Sequence, residues 1–191
     1  MSEIDRTKVL AISGSLRADS YNTALLRAAV KHSSGALDIE PYEDLGTLPM
    51  FNEDLDNNAP PYEVAELRRR VAAADGLLIV TPEHNASVPA ALKNALDWIS
   101  TPPAGGIAVG MPTAIAGASP GAFGSARGQL ALRQILTSIG AEALAKPEVA
   151  VFNCHERLDA DGTVTDPTTT DLLNRLTDAL AARIAAGRRE V

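Results

Sequence analysis

Apolar positions in this chain follow two periodicities in alternation. Val9, Leu10, Ala11 and Ile12 form a short unbroken run, and Ala24, Leu25, Leu26, Ala28 and Ala29 then fall at helical spacing. This predicts a strand from Val9 to Ser13 and a helix from about Asn22 to Lys31, closed by Ser33, Ser34 and Gly35. A weaker strand is predicted over Leu37 to Tyr42, and Val64, Leu67, Arg68 and Val71 mark a helix over Pro61 to Ala74. Pro61 suits its start, where a missing N–H costs nothing. Leu77, Leu78, Ile79 and Val80 make Gly76 to Thr81 the strongest strand, with burial on both faces as in a parallel sheet. A helix over Val88 to Ser100, a strand over Met111 to Gly117, a helix over Ser125 to Ile139 and a strand over Pro147 to Phe152 follow. Leu172, Leu173, Leu176, Leu180 and Ile184 then stripe a last helix, Thr168 to Ala186. Five strands separated by helices predict an α/β doubly wound parallel sheet in the order 2-1-3-4-5, with right-handed crossovers and helices on both faces.

A sheet wound this way binds ligands beyond its C-terminal strand ends, where the winding reverses between strands one and three. The turns so selected are Gly14 to Asn22, Pro82 to Ser87 and Ala118 to Gly124, all rich in polar residues, Gly or Pro. The first lacks both the G-x-x-x-x-G-K-[ST] and the G-x-G-x-x-G patterns. Ser13, Ser15, Ser20, Asn22 and Thr23 instead offer neutral donors that suit a terminal monophosphate, and Arg17 adds a charged one. Read alone, Ser20 or Asn22 equally serves to cap the first helix. In the second turn Pro82 forces Thr81 out of the helical region, so the amides of Glu83, His84 and Asn85 turn over the sheet edge. Those amides can donate to a flat heterocycle, and the same residues are ordinary turn formers.

Composition narrows the partners. The 191 residues are expected to form one domain over 1–191, and 46% apolar with 21% charged residues is ordinary for a soluble protein. A net charge of −7 argues against nucleic acid and anionic membranes, so an anionic ligand has to be gripped locally. Cys154 is the only cysteine, which excludes an intrachain disulfide, a C-x-x-C pair and a cysteine-rich metal cluster, and fits the cytoplasm. No apolar run approaches the roughly 18 residues of a membrane span, and the short polar stretch Met1 to Lys8 gives no expectation of export. Glu43 to Pro61 reads as a long loop with a functional or subunit-contact role. Its Asp54, Asp56 and Asn58 superficially resemble a calcium loop, but Ala59 stands where a glycine is needed and Pro61 interrupts the rest. No G-x-S-x-G accompanies His32, His84 or His155, which argues against a hydrolase triad. Trp98 is expected in the core or a subunit contact, Lys93 and Asp97 as a surface pair, and Arg127 and Arg133 at a partner subunit or the NADPH phosphate.

The segments ISGSLRADSYNT, TPEHNASVPAALKNALDW and GASPGAFGSARGQLALRQ, in order from about Lys8 to Val151, resemble the NADPH-dependent FMN reductase family, in the branch of bacterial quinone and chromate reductases. The resemblance implies a flavodoxin-like fold, tightly bound FMN and homodimers or homotetramers. It implies that Ser15, Arg17, Ser20, Asn22 and Thr23 surround the FMN phosphate, with Leu16 in the same cofactor-binding turn. Pro82, Glu83, His84 and Asn85 would border the isoalloxazine ring, helped by Ser119. NADPH or NADH would be the hydride donor and a small-molecule electron acceptor, a quinone or free flavin, the second substrate of a ping-pong reaction. No catalytic acid, nucleophile or metal is expected. Two departures stand out: His84 where the family has tyrosine, and Ala86 where it often has an aromatic residue or histidine. The imidazole either fills the tyrosine's space or donates a proton to a quinone. The rival class is an FMN-binding electron carrier without NAD(P)H turnover. Glycosyl transfer would need Glu83 as nucleophile.

Overall fold

The computed structural model describes residues 6–33, 35–101, 106–159 and 162–187. The strands are β1 (Thr7–Ser13), β2 (Leu37–Tyr42), β3 (Gly76–Val80), β4 (Pro112–Ala118), β5 (Glu142–Ala143) and β6 (Val149–Val151). The helices are α1 (Tyr21–His32), α2 (Tyr62–Ala72), α3 (Ala90–Ser100), α4 (Ala126–Ser138) and α5 (Pro167–Gly187). All pairings are parallel and the order is β2-β1-β3-β4-β5, with β6 also on β4. This is the doubly wound arrangement expected of the sequence.

Because side chains alternate across a strand, the apolar runs feed two cores. Val9, Ala11, Leu78 and Val80 face α1 and α5 through Leu25, Leu26, Leu176 and Leu180. Leu10, Ile12, Leu77 and Ile79 face α2, α3 and α4 through Leu67, Leu92, Leu96 and Leu132. Every residue of β3 is buried, which explains its unbroken apolar sequence.

The expected strand over Pro147 to Phe152 is present as β6, and the edge next to β4 also carries the short β5, Glu142–Ala143, which lies in none of the expected elements. Thr113 faces Ala143 while Ala116 faces Val149, so the edge carries three more residues than β4 across the break. Pro147 lies in that excursion, where it has no N–H to give β4.

The long loop after β2 contains two 3-10 turns, Leu45–Thr47 and Glu53–Leu55, and is pinned to α3. The Pro49 carbonyl accepts from Trp98 Nε1 (2.8 Å) and Asn94 Nδ2 (2.9 Å), and the Phe51 N–H donates to Asn94 Oδ1 (2.7 Å). Phe51 and Trp98 meet edge to face, centroids 4.9 Å apart, so Trp98 is a core residue. Asp56 lies 2.8 Å from Arg68 Nη1, and that guanidinium, by direct hydrogen bond, holds the carboxyl below its usual pKa. Lys93 and Asp97 form the expected pair one turn apart.

Candidate cofactor site

The first turn begins where Gly14 leaves β1, its N–H still donating to the Val80 carbonyl (2.8 Å). A side chain there would sit 2.9 Å from Thr81 Oγ1, so glycine is what lets the first and second turns touch. Ser20 is the N-cap of α1: its backbone is extended and its Oγ accepts from the N–H groups of Asn22 (3.2 Å) and Thr23 (3.4 Å). The Ser13 and Thr23 hydroxyls bond to each other at 2.8 Å. The Ser15 N–H donates to Ser13 Oγ (3.4 Å), and the Arg17 N–H to Ser15 Oγ (3.3 Å). Leu16 is 61% exposed.

Asn22 behaves differently from its neighbours. It is buried, donates from Nδ2 to the Ala118 carbonyl (3.0 Å) and accepts at Oδ1 from the Ala118 N–H (2.9 Å). Its side chain therefore clasps the start of α1 to the end of β4 instead of lining the turn. The N–H groups of Leu16, Ala18, Asp19, Ser20 and Tyr21 donate to no other described residue. Arg17 donates from its guanidinium only to the Asp19 carbonyl (3.4 Å) among the described residues. A cavity of about 430 Å³ opens on this turn, lined by Ser15, Arg17, Thr23 and Arg27 and, opposite, by Tyr42 and Thr47.

The second turn is a tight reversal in which His84 and Ser87 exchange N–H···O bonds of 2.9 Å in both directions. Its middle residues Asn85 (φ 50°) and Ala86 (φ 62°) are both left-handed. Such a turn requires positive φ at both places, which asparagine tolerates and alanine adopts at a cost of about 1–2 kcal/mol. The N–H groups of Glu83, Asn85 and Ala86 donate to no other described residue, and His84, Asn85 and Ala86 are exposed. Pro82 is half-buried. The Glu83 side chain turns to α4, accepting at Oε2 from the N–H groups of Arg127 (3.0 Å) and Gly128 (3.2 Å) and at Oε1 from Arg127 Nε (2.6 Å). Burial pushes this carboxyl's pKa up, but the Arg127 and Gly128 donors together outweigh it and leave the net shift downward.

In the third turn Ser119 is half-buried, its N–H donating to the Val151 carbonyl (2.9 Å) and its Oγ accepting from the Gly121 N–H (3.1 Å). The structure thus brings all three turns to one edge and stitches them together: Gly14 on Thr81, Asn22 on Ala118, Glu83 on α4. It also shows residues that sequence reasoning missed. Thr81 is fully buried beneath the first two turns. Ser125, left-handed at φ 70°, accepts at Oγ from the Gln129 amide (3.1 Å), which also donates to the Val149 carbonyl (2.9 Å). Phe123 stands 63% exposed beneath the Arg127 guanidinium, 4.9 Å from its ring centroid. The G-S-A-R-G-Q run at the start of α4 is the only local signal of these contacts. Of the residues expected at a subunit contact, Arg127 pairs with Glu83, and Arg133 donates to the Leu144 carbonyl (2.6 Å) within the chain.

The donor set fits a phosphate monoester attached to a flat ring. Free N–H groups, hydroxyls and a guanidinium converge at the first turn beside open space, and α1 has a neutral cap, so its positive end is unspent. The second turn offers free amide donors one sheet position away. A parallel sheet of this order, with such turns at its switch point, defines a flavodoxin-like α/β protein. The family model for NADPH-dependent FMN reductases matches residues 7–156. The chain is 42% identical over 176 residues to an NAD(P)H-dependent FMN reductase of Pseudomonas aeruginosa, covering 92% of this chain and 94% of that one. It is 38% identical, with the same coverage, to a 2-hydroxy-1,4-benzoquinone reductase of a Burkholderia species. The fold superposes on the flavoenzyme NAD(P)H:(acceptor) oxidoreductase FerB of Paracoccus denitrificans with a TM-score of 0.85 at 36% identity, covering 94% and 98% of the two chains. The chain belongs to the NADPH-dependent FMN reductase family, oxidoreductases that work with FMN and NAD(P)H.

Proposed function

We propose that this chain binds FMN at its first turn, accepts a hydride from NADPH or NADH, and passes the electrons to a small-molecule acceptor such as a quinone or free flavin. The observation that carries the proposal is the contrast between two helix starts at one sheet edge. α1 keeps a neutral Ser20 cap beside unpaired N–H groups, whereas α4 is already closed by the Glu83 carboxylate. An anion is therefore drawn to α1.

The bonding supports a part for each residue. Ser15, Ser20 and Thr23 give hydroxyls to the phosphate, Arg17 gives it a counter-charge, and Leu16 gives apolar surface to the cofactor. Asn22 acts indirectly, by holding α1 against β4. Pro82, Glu83, His84 and Asn85 border the ring through their backbone, with Ser119 from the third turn, and the unpaired amides of Asn85 and Glu83 favour the ring edge that gains negative charge. FMN, when bound, supplies the N5 atom that takes the hydride and the reduced ring that returns electrons. With one open face, donor and acceptor use the same place in turn, a ping-pong order that parallel double-reciprocal plots test.

Exposed Phe123 in the turn before α4 and exposed Leu130 on α4 (63% and 61%) support association into homodimers or homotetramers, which sedimentation measures. No helix among the described residues is long and apolar enough to cross a membrane. The single cysteine, buried and unpaired, supports a cytoplasmic setting. The test of the function is anaerobic: FMN-loaded protein should bleach with NADPH or NADH and recolour with a quinone. Protein that holds FMN but fails to bleach with either nicotinamide is an electron carrier, and the proposal falls.

A further inference from the structure

The start of α4 is closed from outside its own segment. Its N-cap, Ser125, makes no capping bond, and its Oγ accepts from the Gln129 amide instead. The N–H groups of Arg127 and Gly128, which that cap would serve, are taken by Glu83 Oε2 from 44 and 45 residues away. Gly128 makes room for this contact: a side chain there would stand 3.1 Å from both Glu83 Cα and the Ser87 carbonyl oxygen. The Glu83 side chain is 11% exposed while that of Arg127 is 58% exposed. The bond from the Gly128 N–H is the sheltered one, and the guanidinium bond reaches toward solvent.

No other side chain from residues 82–87 makes a hydrogen bond or ion pair to another described residue. The loop itself is a strained reversal with two left-handed residues. One side chain therefore moors a segment that local preference alone would leave in several conformations.

We infer that Glu83 is a positioning residue: by closing the N-terminus of α4 it fixes the 82–87 loop, and with it the free N–H groups of Asn85 and Ala86, against the edge of the flavin ring. This rests on the FMN reading above. The carboxylate bonds helix and arginine, so its effect on cofactor binding passes through the loop's backbone.

Three variants test this. Glu83→Met keeps the length but offers no acceptor to the two helix N–H groups; Glu83→Asp is one methylene short and serves should the methionine variant fail to fold; Arg127→Met leaves the two helix bonds in place. In apoprotein, hydrogen exchange of the His84 and Ser87 amides, the bonded pair of the loop, should rise roughly tenfold in Glu83→Met, the size of a lost helix cap. FMN binding, read by flavin fluorescence, should weaken by a similar factor, whereas Arg127→Met should change either reading by less than about threefold. Unchanged exchange and affinity in Glu83→Met overturn the inference. So does Arg127→Met matching Glu83→Met, since the ion pair would then carry the effect. If wild-type protein takes up no FMN, the functional reading falls, and the exchange data still decide whether Glu83 moors the loop.

Discussion

Replacing Asn22 by alanine separates a structural clasp from a ligand. The native amide makes two bonds, 2.9 and 3.0 Å, to the N–H and carbonyl of Ala118, in a place where Asn22 is 3% exposed and Ala118 likewise. Truncation leaves both Ala118 groups without partners. Each orphaned buried group costs about 1–3 kcal/mol, so the pair should cost about 2–6 kcal/mol, a large share of a total near 5–15 kcal/mol. For a chain of this size that lowers Tm by about 4–20 °C. Urea and thermal unfolding of apoprotein, followed by far-ultraviolet circular dichroism, measure it. Asn22→Asp should not rescue, because its carboxylate accepts from the Ala118 N–H but opposes the Ala118 carbonyl. A loss under about 1 kcal/mol would mean that water replaces the clasp. A loss seen only in FMN-saturated protein would make Asn22 a cofactor ligand and refute the reasoning.

Other consequences follow from single contacts. Gly117→Ala would drive a methyl into Ser125 Oγ and the Thr81 carbonyl; overpacking there should cost about 1–3 kcal/mol or more in urea unfolding, and an unchanged midpoint would contradict it. Ser20→Asp should leave apoprotein as stable as wild type, since aspartate caps helices as well as serine does, yet expel FMN by placing like charges together; full flavin content would defeat this. Asp166 is held below its usual 3.8 by the Thr169 hydroxyl first, then by Arg157 and the Thr169 N–H, which outweigh its desolvation. Its folded pKa being lowered, its contribution is complete above the unfolded value and disappears as pH falls through the folded one. Asp166→Asn should therefore flatten the acid limb of stability against pH, and an identical limb would contradict the assignment.

What the sequence disclosed depended on whether a signal was local. β3 was legible because Leu77, Leu78, Ile79 and Val80 are buried on both faces, and α5 because Leu173, Leu176, Leu180 and Ile184 share one buried stripe. The strand order then brings the three polar turns to one edge, since the switch point follows from topology. The split edge was not legible, because the two residues of β5 carry no periodicity and are placed by pairing with Pro112 and Thr113 and by the Arg183 guanidinium on Glu142, 41 residues away. Nor could the tasks of Asn22 and Glu83 be read. Their partners lie 96 and 44 residues away, and a turn-forming asparagine or glutamate looks the same whether it meets a ligand or ties two loops together. Ser20 suits either a cap or a phosphate donor by sequence, and its cap bonds are the part that the structure makes visible.

The central claim is that the α1 turn grips a doubly charged phosphate, and calorimetry of apoprotein with FMN and with riboflavin isolates that group, since the two flavins share a ring and differ by the phosphate alone. Tight FMN binding that weakens at least a hundredfold with riboflavin is the predicted result, being the worth of two or more charge-assisted hydrogen bonds at roughly 1.5–3 kcal/mol each. Equal affinity for the two would contradict it.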